Sequence, residues 1–262
     1  MKRKVILISI DGMRPDGFLQ CGNPFIEELM RRGAYTLEGA SMDPPVTLPC
    51  HMSIFHSTSP QRHGVTTNTY VPMVRPFNGL FEQISNAGGR SAMYYGWEPL
   101  RDVSRPGSLK HAEFIWSYSA EHTDRLLAEA AINYIEKMKP DFAFLYMVET
   151  DQKGGHDNGW MSAPYLQRIH DALNNVKEVL EKFGDEYTVI LTTDHGGHDR
   201  IHGVNMPEDM VIPMFFIGPE FEPGEKLSGI SLLDIAPTIA DVMGVPAARE
   251  WEGRSLAKKV GQ

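Results

Sequence analysis

Three apolar runs in this 262-residue chain end in acid, and no other feature constrains the fold as much. Ile8-Ser9-Ile10 leads to Asp11. Tyr146-Met147-Val148 leads through Glu149-Thr150 to Asp151, and Val189-Ile190-Leu191 leads through Thr192-Thr193 to Asp194. Short, continuous apolar runs suit strands buried on both faces, as in parallel sheets. Helical patterns separate them, so the expected fold is a layered α/β/α domain with a largely parallel central sheet. In open α/β sheets the ligand crevice lies beyond the carboxyl ends of the strands. If the three runs are neighbours, three carboxylates converge there. Carboxylates that close repel each other unless a cation sits between them. One Asp after a strand is as readily a helix cap, but three such ends, two with histidines attached, ask for another explanation.

The intervening segments fit this plan. Residues 5–10, 34–42, 91–95, 142–148, 187–193 and 210–217 read as strands. Residues 24–32, 48–57, 77–87, 120–138, 164–183 and 231–243 read as helices. Gly33 and the Gly88-Gly89 pair stop two of these helices, and Pro49 falls in the first turn of another. Pro213, inside the 210–217 run, predicts an edge position, because proline cannot donate to a ladder. Residues 97–106 are irregular and rich in Arg and Pro. A single catalytic domain, 1–262, is therefore expected, with a small lid or insert around 97–118.

Composition narrows the function. The net charge of -9 disfavours a general nucleic-acid binder, which would present a basic surface. It leaves room for an anionic substrate, since a bound metal reverses the local field. Cys21 and Cys50, the two cysteines, have no CxxC spacing and imply neither a disulfide framework nor a cysteine-rich zinc site. The opening stretch to Asp11 resembles a signal peptide only superficially: its apolar part is short, ends in Asp11 and lacks a small-residue cleavage site. No run is long enough to span a membrane. A cytoplasmic protein without a membrane partner is expected.

The segment from Asp194 to His202 holds three imidazoles and two carboxylates in nine residues, at the end of a strand. Imidazole and carboxylate are zinc-type ligands. A second carboxylate–imidazole pair, Asp151 and His156, lies on a glycine-bearing loop. Asp11, Asp151, Asp194, His156, His195 and either His198 or His202 supply enough donors for two divalent ions. Two ions roughly 4 Å apart suit hydrolysis of a phosphate ester. A hydroxyl nucleophile belongs near the start of a helix, where backbone amides and the helix dipole favour a phosphate. Thr47, before the 48–57 helix, meets that need, although threonine at such a place is commonly only a cap. His51, His56 and His63 read as structural or supporting residues.

The ordered motifs resemble the alkaline-phosphatase-like superfamily, and most closely its type I phosphodiesterase/nucleotide pyrophosphatase family. They are Ile8-Ser9-Ile10-Asp11-Gly12-Met13-Arg14-Pro15-Asp16, Pro45-Val46-Thr47-Leu48-Pro49-Cys50-His51 and Ser59-Pro60-Gln61-Arg62-His63-Gly64-Val65. Asp151 with His156, Thr193-Asp194-His195-Gly196, His202-Gly203, and the tail Leu233-Asp234-Ile235-Ala236-Pro237-Thr238 to Gly253-Arg254-Ser255-Leu256 complete the set. The resemblance implies two metal ions, usually zinc, with manganese or iron as substitutes. Asp11, Thr47, Asp194 and His195 would hold one, and Asp151, His156 and His202 the other. It implies a phosphothreonine formed on Thr47, Asn68 holding a phosphate oxygen, and a small-molecule phosphate ester or nucleotide as substrate.

Three departures stand out. The doubled Gly154-Gly155 makes the Asp151–His156 loop one residue longer than the family's Asp-x-x-Gly-His form. His198 competes with His202, which is preferred because Gly203 follows it. The chain is also shorter than many nucleotide pyrophosphatases. A sulfatase would need a modifiable Cys or Ser in a Cys/Ser-x-Pro-x-Arg motif, which Thr47-Leu48-Pro49-Cys50 does not supply. The phosphoglycerate mutase branch would need a serine nucleophile and a large insert. The alternatives are a phosphomonoesterase or phosphonate hydrolase on the same scaffold and, from another class, a noncatalytic metal-binding protein. An arginine clamp, from Arg14, Arg101 or Arg105, would favour a monoester. Residues 97–106 and 70–76 are the expected seat of specificity.

Overall fold

The computed structural model describes residues 3–258. Its centre is a seven-stranded sheet in the order β2-β7-β6-β1-β5-β3-β4. The strands are β1 (Lys4–Ile10), β2 (Ala34–Ala40), β3 (Ser91–Tyr95), β4 (His111–Phe114), β5 (Phe142–Met147), β6 (Tyr187–Thr192) and β7 (Val211–Ile217). β7 pairs antiparallel with both neighbours, and the other ladders are parallel. The helices are α1 (Pro15–Gln20), α2 (Phe25–Arg32), α3 (Thr47–His56), α4 (Pro60–His63), α5 (Leu80–Asn86), α6 (Thr123–Met138), α7 (Ala163–Phe183), α8 (Pro207–Met210) and α9 (Ile235–Met243).

The central strands alternate between two cores. Val5, Leu7, Phe142, Phe144, Tyr146 and Ile190 face one side, where α3, α5 and α9 pack. Ile6, Ile8, Ile10, Leu145, Met147, Val189 and Leu191 face the other, covered by α2, α6 and α7. Both faces are dry, so the runs are apolar throughout. Each buried Leu, Ile or Phe is worth about 1.5–3 kcal/mol relative to exposure.

Helix α7 shows how local signals set the frame. Ser162 caps it, accepting the Tyr165 N–H at 3.3 Å, and proline sits in its first turn. Its buried residues Tyr165, Ile169, Leu173, Val176 and Leu180 recur at helical spacing. The Tyr165 hydroxyl donates to Gly12 O at 2.8 Å and accepts from Arg14 N at 2.8 Å, tying the helix start to the loop after β1.

Two strand expectations change. β7 is not an edge strand, because β2 lies outside it. Pro213 is tolerated because the β6 ladder stops at Phe215, and the β2 ladder is irregular between Thr36 and Gly39, opposite the proline. β4 lies in the 97–118 stretch expected to form a lid or insert. Its residues alternate between half-buried and exposed, so no apolar run marks it. The preceding turn, Glu98–Val103, buries Leu100 and Val103 against the α3 side of the sheet.

Candidate metal centre

Register brings the three acids together. β1 pairs Ile10 with Met147 of β5 and Ser9 with Thr192 of β6, so the chain leaves three adjacent strands side by side. Asp11, Asp151 and Asp194 are all buried there. Gly12 turns with φ +67, and a Cβ on it would lie 3.1 Å from Asp151 Cβ and Oδ1. A side chain at that position would crowd Asp151 and strain the left-handed turn. Trp160 packs against Gly155 and Gly197 and donates its indole N–H to Gly12 O at 3.0 Å. It therefore touches all three ligand-bearing loops.

Thr47 is the first residue of α3, not its cap. Val46 occupies the cap position in extended conformation, without a side-chain capping bond. The Thr47 hydroxyl is thus not consumed by the helix and lies 3.2 Å from His195 Nε2. All residues of α3 are buried. The first turn's Leu48 N–H is accepted by Asn68 Oδ1 at 3.0 Å, which leaves the Asn68 Nδ2 group beside the helix start.

The histidines are held in one tautomer by the backbone. His195 Nδ1 donates to Gly196 O at 2.8 Å, His202 Nδ1 to Pro45 O at 2.9 Å, and His156 Nδ1 to Arg200 O at 2.8 Å. A carbonyl only accepts, so Nδ1 carries the proton and each Nε2 presents a lone pair. His195 Nε2 lies 3.4 Å from Asp11 Oδ1 and 3.3 Å from Asp194 Oδ2. His202 Nε2 is 3.8 Å from Asp151 Oδ1, and His156 Nε2 is 3.5 Å from Asp151 Oδ2. The His195 and His202 rings stack at 3.8 Å. His156 stands at the rim, 39% exposed.

Donor accounting exposes what the site lacks. Asp11 Oδ1, Asp151 Oδ1 and Asp194 Oδ2 are buried with no hydrogen-bond partner. Among the described residues no Lys or Arg bonds to these carboxylates. Burial first, then the neighbouring acids, holds Asp11 and Asp151 well above the ordinary carboxylate range. Burial pushes Asp194 up to about 6. Burial, reinforced by His195, pushes His202 down to about 2, so it stays neutral. Donor atoms of Asp11, Asp194 and His195 lie within 4.8 Å of one another, as do those of Asp151, His195 and His202. Orphaned carboxylate oxygens facing imidazole lone pairs fit divalent cations.

Among the supporting residues Tyr146 and Asp209 escaped sequence reasoning, whereas His51 takes the supporting place expected of it. The Tyr146 hydroxyl donates to Asp11 Oδ2, leaving Oδ1 as the open oxygen. Burial keeps His51 neutral, pushed down to about 3. Its Nδ1 donates to Thr47 O at 2.8 Å and its Nε2 accepts from Ser9 Oγ at 3.1 Å. His198 turns aside: its Nδ1 lies 2.8 Å from Oδ1 of buried Asp209, whose other oxygen accepts Val204 N–H at 2.9 Å. The loop after β5 is a wide π-helical turn, Thr150–His156, which absorbs the extra residue of the doubled glycine. The arginines are spent elsewhere. Arg14 bonds Asp16 and Gly197 O, Arg101 pairs with Glu98 and Asp102, and Arg105 holds Phe77 O and Asn78.

Known proteins of this shape share the architecture. The murine ectonucleotide pyrophosphatase/phosphodiesterase 5 superposes with a TM-score of 0.78, 15% identity, and coverage of 94% of this chain and 96% of that one. A 2-O GAG sulfatase gives 0.76 at 16% identity, covering 98% of this chain and 73% of the other. Curated relatives include a phosphopentomutase of Alkaliphilus oremlandii, 29% identical over 123 residues, or 46% of this chain and 30% of that protein. A 2,3-bisphosphoglycerate-independent phosphoglycerate mutase of Myxococcus xanthus is 25% identical over 175 residues, 64% of this chain and 33% of its own length. This chain thus spans about a third of the length of these curated relatives. The layered α/β fold with its mostly parallel sheet is the one these structures share. Residues 5–208 match the family model for type I phosphodiesterase / nucleotide pyrophosphatase, and the chain belongs to that family. No helix among the described residues is long and apolar enough to cross a membrane.

Proposed function

We propose that this chain hydrolyses a phosphoric diester or pyrophosphate bond, as a single catalytic domain with Thr47 as nucleophile and two divalent ions. The observation that carries this reading is the trio of buried, partnerless carboxylate oxygens gathered near the Thr47 hydroxyl. Asp11, Thr47, Asp194 and His195 would hold the inner ion, and Asp151, His156 and His202 the outer one. Mixed imidazole and carboxylate donors suit zinc first. The ions would neutralise the carboxylates, polarise the phosphate and lower the pKa of the Thr47 hydroxyl.

The chain's own groups supply the rest. Thr47 Oγ1 attacks phosphorus and the bond to the leaving oxygen breaks. Water then hydrolyses the phosphothreonine. At the start of α3 the Leu48 N–H is taken by Asn68 Oδ1, Pro49 has none and the Cys50 N–H is taken by Val46 O, so the Thr47 N–H and the Asn68 Nδ2 group would hold the nonbridging oxygens. His51, bonded to Thr47 O, steadies the first turn of α3. A neutral His202 keeps its Nε2 lone pair for ligation.

The engaged arginines favour a substituted phosphate over a monoester dianion, which carries more charge and gains more from a guanidinium clamp. The threonine role draws support from the murine neighbour, whose inactive threonine-to-alanine variant was captured in complex with AMP. The test is a side-by-side rate comparison on bis-nitrophenyl phosphate, nitrophenyl phosphate and a phenylphosphonate ester, with metals restored after chelation. The diester should be fastest. A faster monoester or phosphonate would move the substrate class, and no turnover on any of them would leave a metal-binding protein.

A further inference from the structure

The π-helical turn Thr150–His156 carries Asp151 near one end and His156 at the other, with Gly154 and Gly155 between. Two glycines give such a turn many conformations to choose from. Something must hold it open at the width that aims both side chains inward. Lys153, midway between them, is 16% exposed and does not reach for solvent. Its ammonium donates to Ala120 O at 2.9 Å, Glu121 O at 2.8 Å and Glu149 Oε1 at 2.5 Å. An ammonium has three donors, and all are used.

The acceptors are themselves fixed. Glu149 Oε1 also accepts Thr123 N–H at 2.9 Å, and its Oε2 takes Arg168 at 3.3 Å. Asp124 binds Val148 N–H at 2.8 Å and Glu149 N–H at 3.0 Å, where β5 passes into the turn. Ser117 Oγ donates to the Gln152 side chain, and Lys153 O accepts from Asn158 Nδ2 at 2.7 Å. The turn is therefore anchored to the 117–124 segment at several points; Gln152 is the anchor next to Asp151, and Lys153 is the one nearest His156 in sequence.

We propose that Lys153, seated on Glu149, is a positioning residue that fixes the wide turn and thereby sets affinity for the outer ion. The proposal rests on the two-ion reading above. Lys153 touches neither substrate nor metal; it acts through Asp151 and His156. The inner ion, whose protein donors come from the loops after β1 and β6 and from α3, is outside its reach.

The test measures zinc per chain by elemental analysis in buffers of stepped free zinc, on the folded holoenzyme. Lys153→Met should weaken the outer ion about 10- to 100-fold, the range typical of lost outer supports to a metal site, leaving the inner ion at its wild-type affinity. At intermediate free zinc the content should fall from about two ions to about one. In the cobalt-loaded protein the absorption of the outer ion alone should change. Glu149→Gln keeps the lysine's two carbonyl bonds and should weaken the outer ion less; it decides the matter if Lys153→Met does not fold. Lys177→Met, at an exposed pair with Glu181, serves as the surface control and should leave both ions unchanged. Wild-type affinity for both ions in the folded variants, or equal loss of both, overturns the proposal. Failure of the wild-type chain to bind two ions overturns the two-ion reading instead.

Discussion

Asp124 and Asp194 are both hidden from solvent, yet the protein treats them in opposite ways. Asp124 receives two backbone N–H groups, and the adjacent Glu149 is met by Lys153 and Arg168. Asp194 has Gly12 N–H on one oxygen at 3.3 Å, nothing on the other, and Asp11 close by. Burial raises both, Asp124 to about 7 and Asp194 to about 6. A raised pKa therefore does not tell the two apart. Donor accounting does: one acid is completed by the chain, and the other faces its own kind with an open oxygen.

The largest effect expected from breaking this contrast is at the hydroxyl the open acids surround. Thr47→Ala should cost at least about 1,000-fold in turnover on a diester while elemental analysis finds the metal content intact. Unchanged turnover would remove the covalent step. Asp194→Asn should lower the metal content, and a full complement of two ions would contradict its place among the ligands. Tyr146→Phe frees Asp11 Oδ2 and should weaken metal binding about 10-fold or more, read by competition with a chromophoric chelator. An unchanged affinity would make that hydroxyl a bystander.

The pH dependence separates the two acid sites by sign and by rescue. Folded values above the unfolded one mean that the protonated forms favour the fold. For Asp11, Asp151 and Asp194 that contribution is complete below about pH 4 and is lost as pH rises through the folded values, about 6 for Asp194. Calorimetry should show chelated protein losing Tm across this window and zinc restoring it. The Asp124 contribution fades at about pH 7, zinc should not restore it, and Asp124→Asn should flatten that part of the curve. A chelated protein whose Tm rises through the window would refute the assignment. The smallest effect belongs to His198→Ala, which strips a partner from buried Asp209. It should cost about 1–3 kcal/mol in denaturant titrations with no loss of metal. Metal loss there would reopen the choice between His198 and His202.

The sequence announced β1, β5 and β6 because strands buried on both faces leave apolar runs, and their acidic ends marked the crevice. Asp11, Thr47, Asp151, Asp194, His195 and His202 do meet there, with His156 at the rim. β4 left no such trace, being half exposed. Pro213 misdirected β7 outward because the irregular pairing beside it has no local signature. Tyr146 reads as one more apolar residue of β5, since only the face it occupies shows that its hydroxyl meets Asp11. Asp209 and Lys153 were invisible for a related reason. Their partners lie 11 residues away for Asp209 and, for the carbonyl bonds of Lys153, 32 and 33 residues away. Side-chain pairing over such spans follows from the finished fold and not from any local pattern.

Trp160 gives the protein a built-in optical gauge. Its indole is wedged against both glycine loops and lies 5.2 Å from the His156 ring and 6.0 Å from the His202 ring. Of the other three tryptophans Trp116 is 53% exposed, and Trp97 and Trp251 are half-buried against the core on the other face of the sheet. Charge arriving on either imidazole acts on the buried fluorophore at close range. The state of the centre is then legible in the change of intrinsic emission when the centre fills, without a label, a substrate or a cut in the chain.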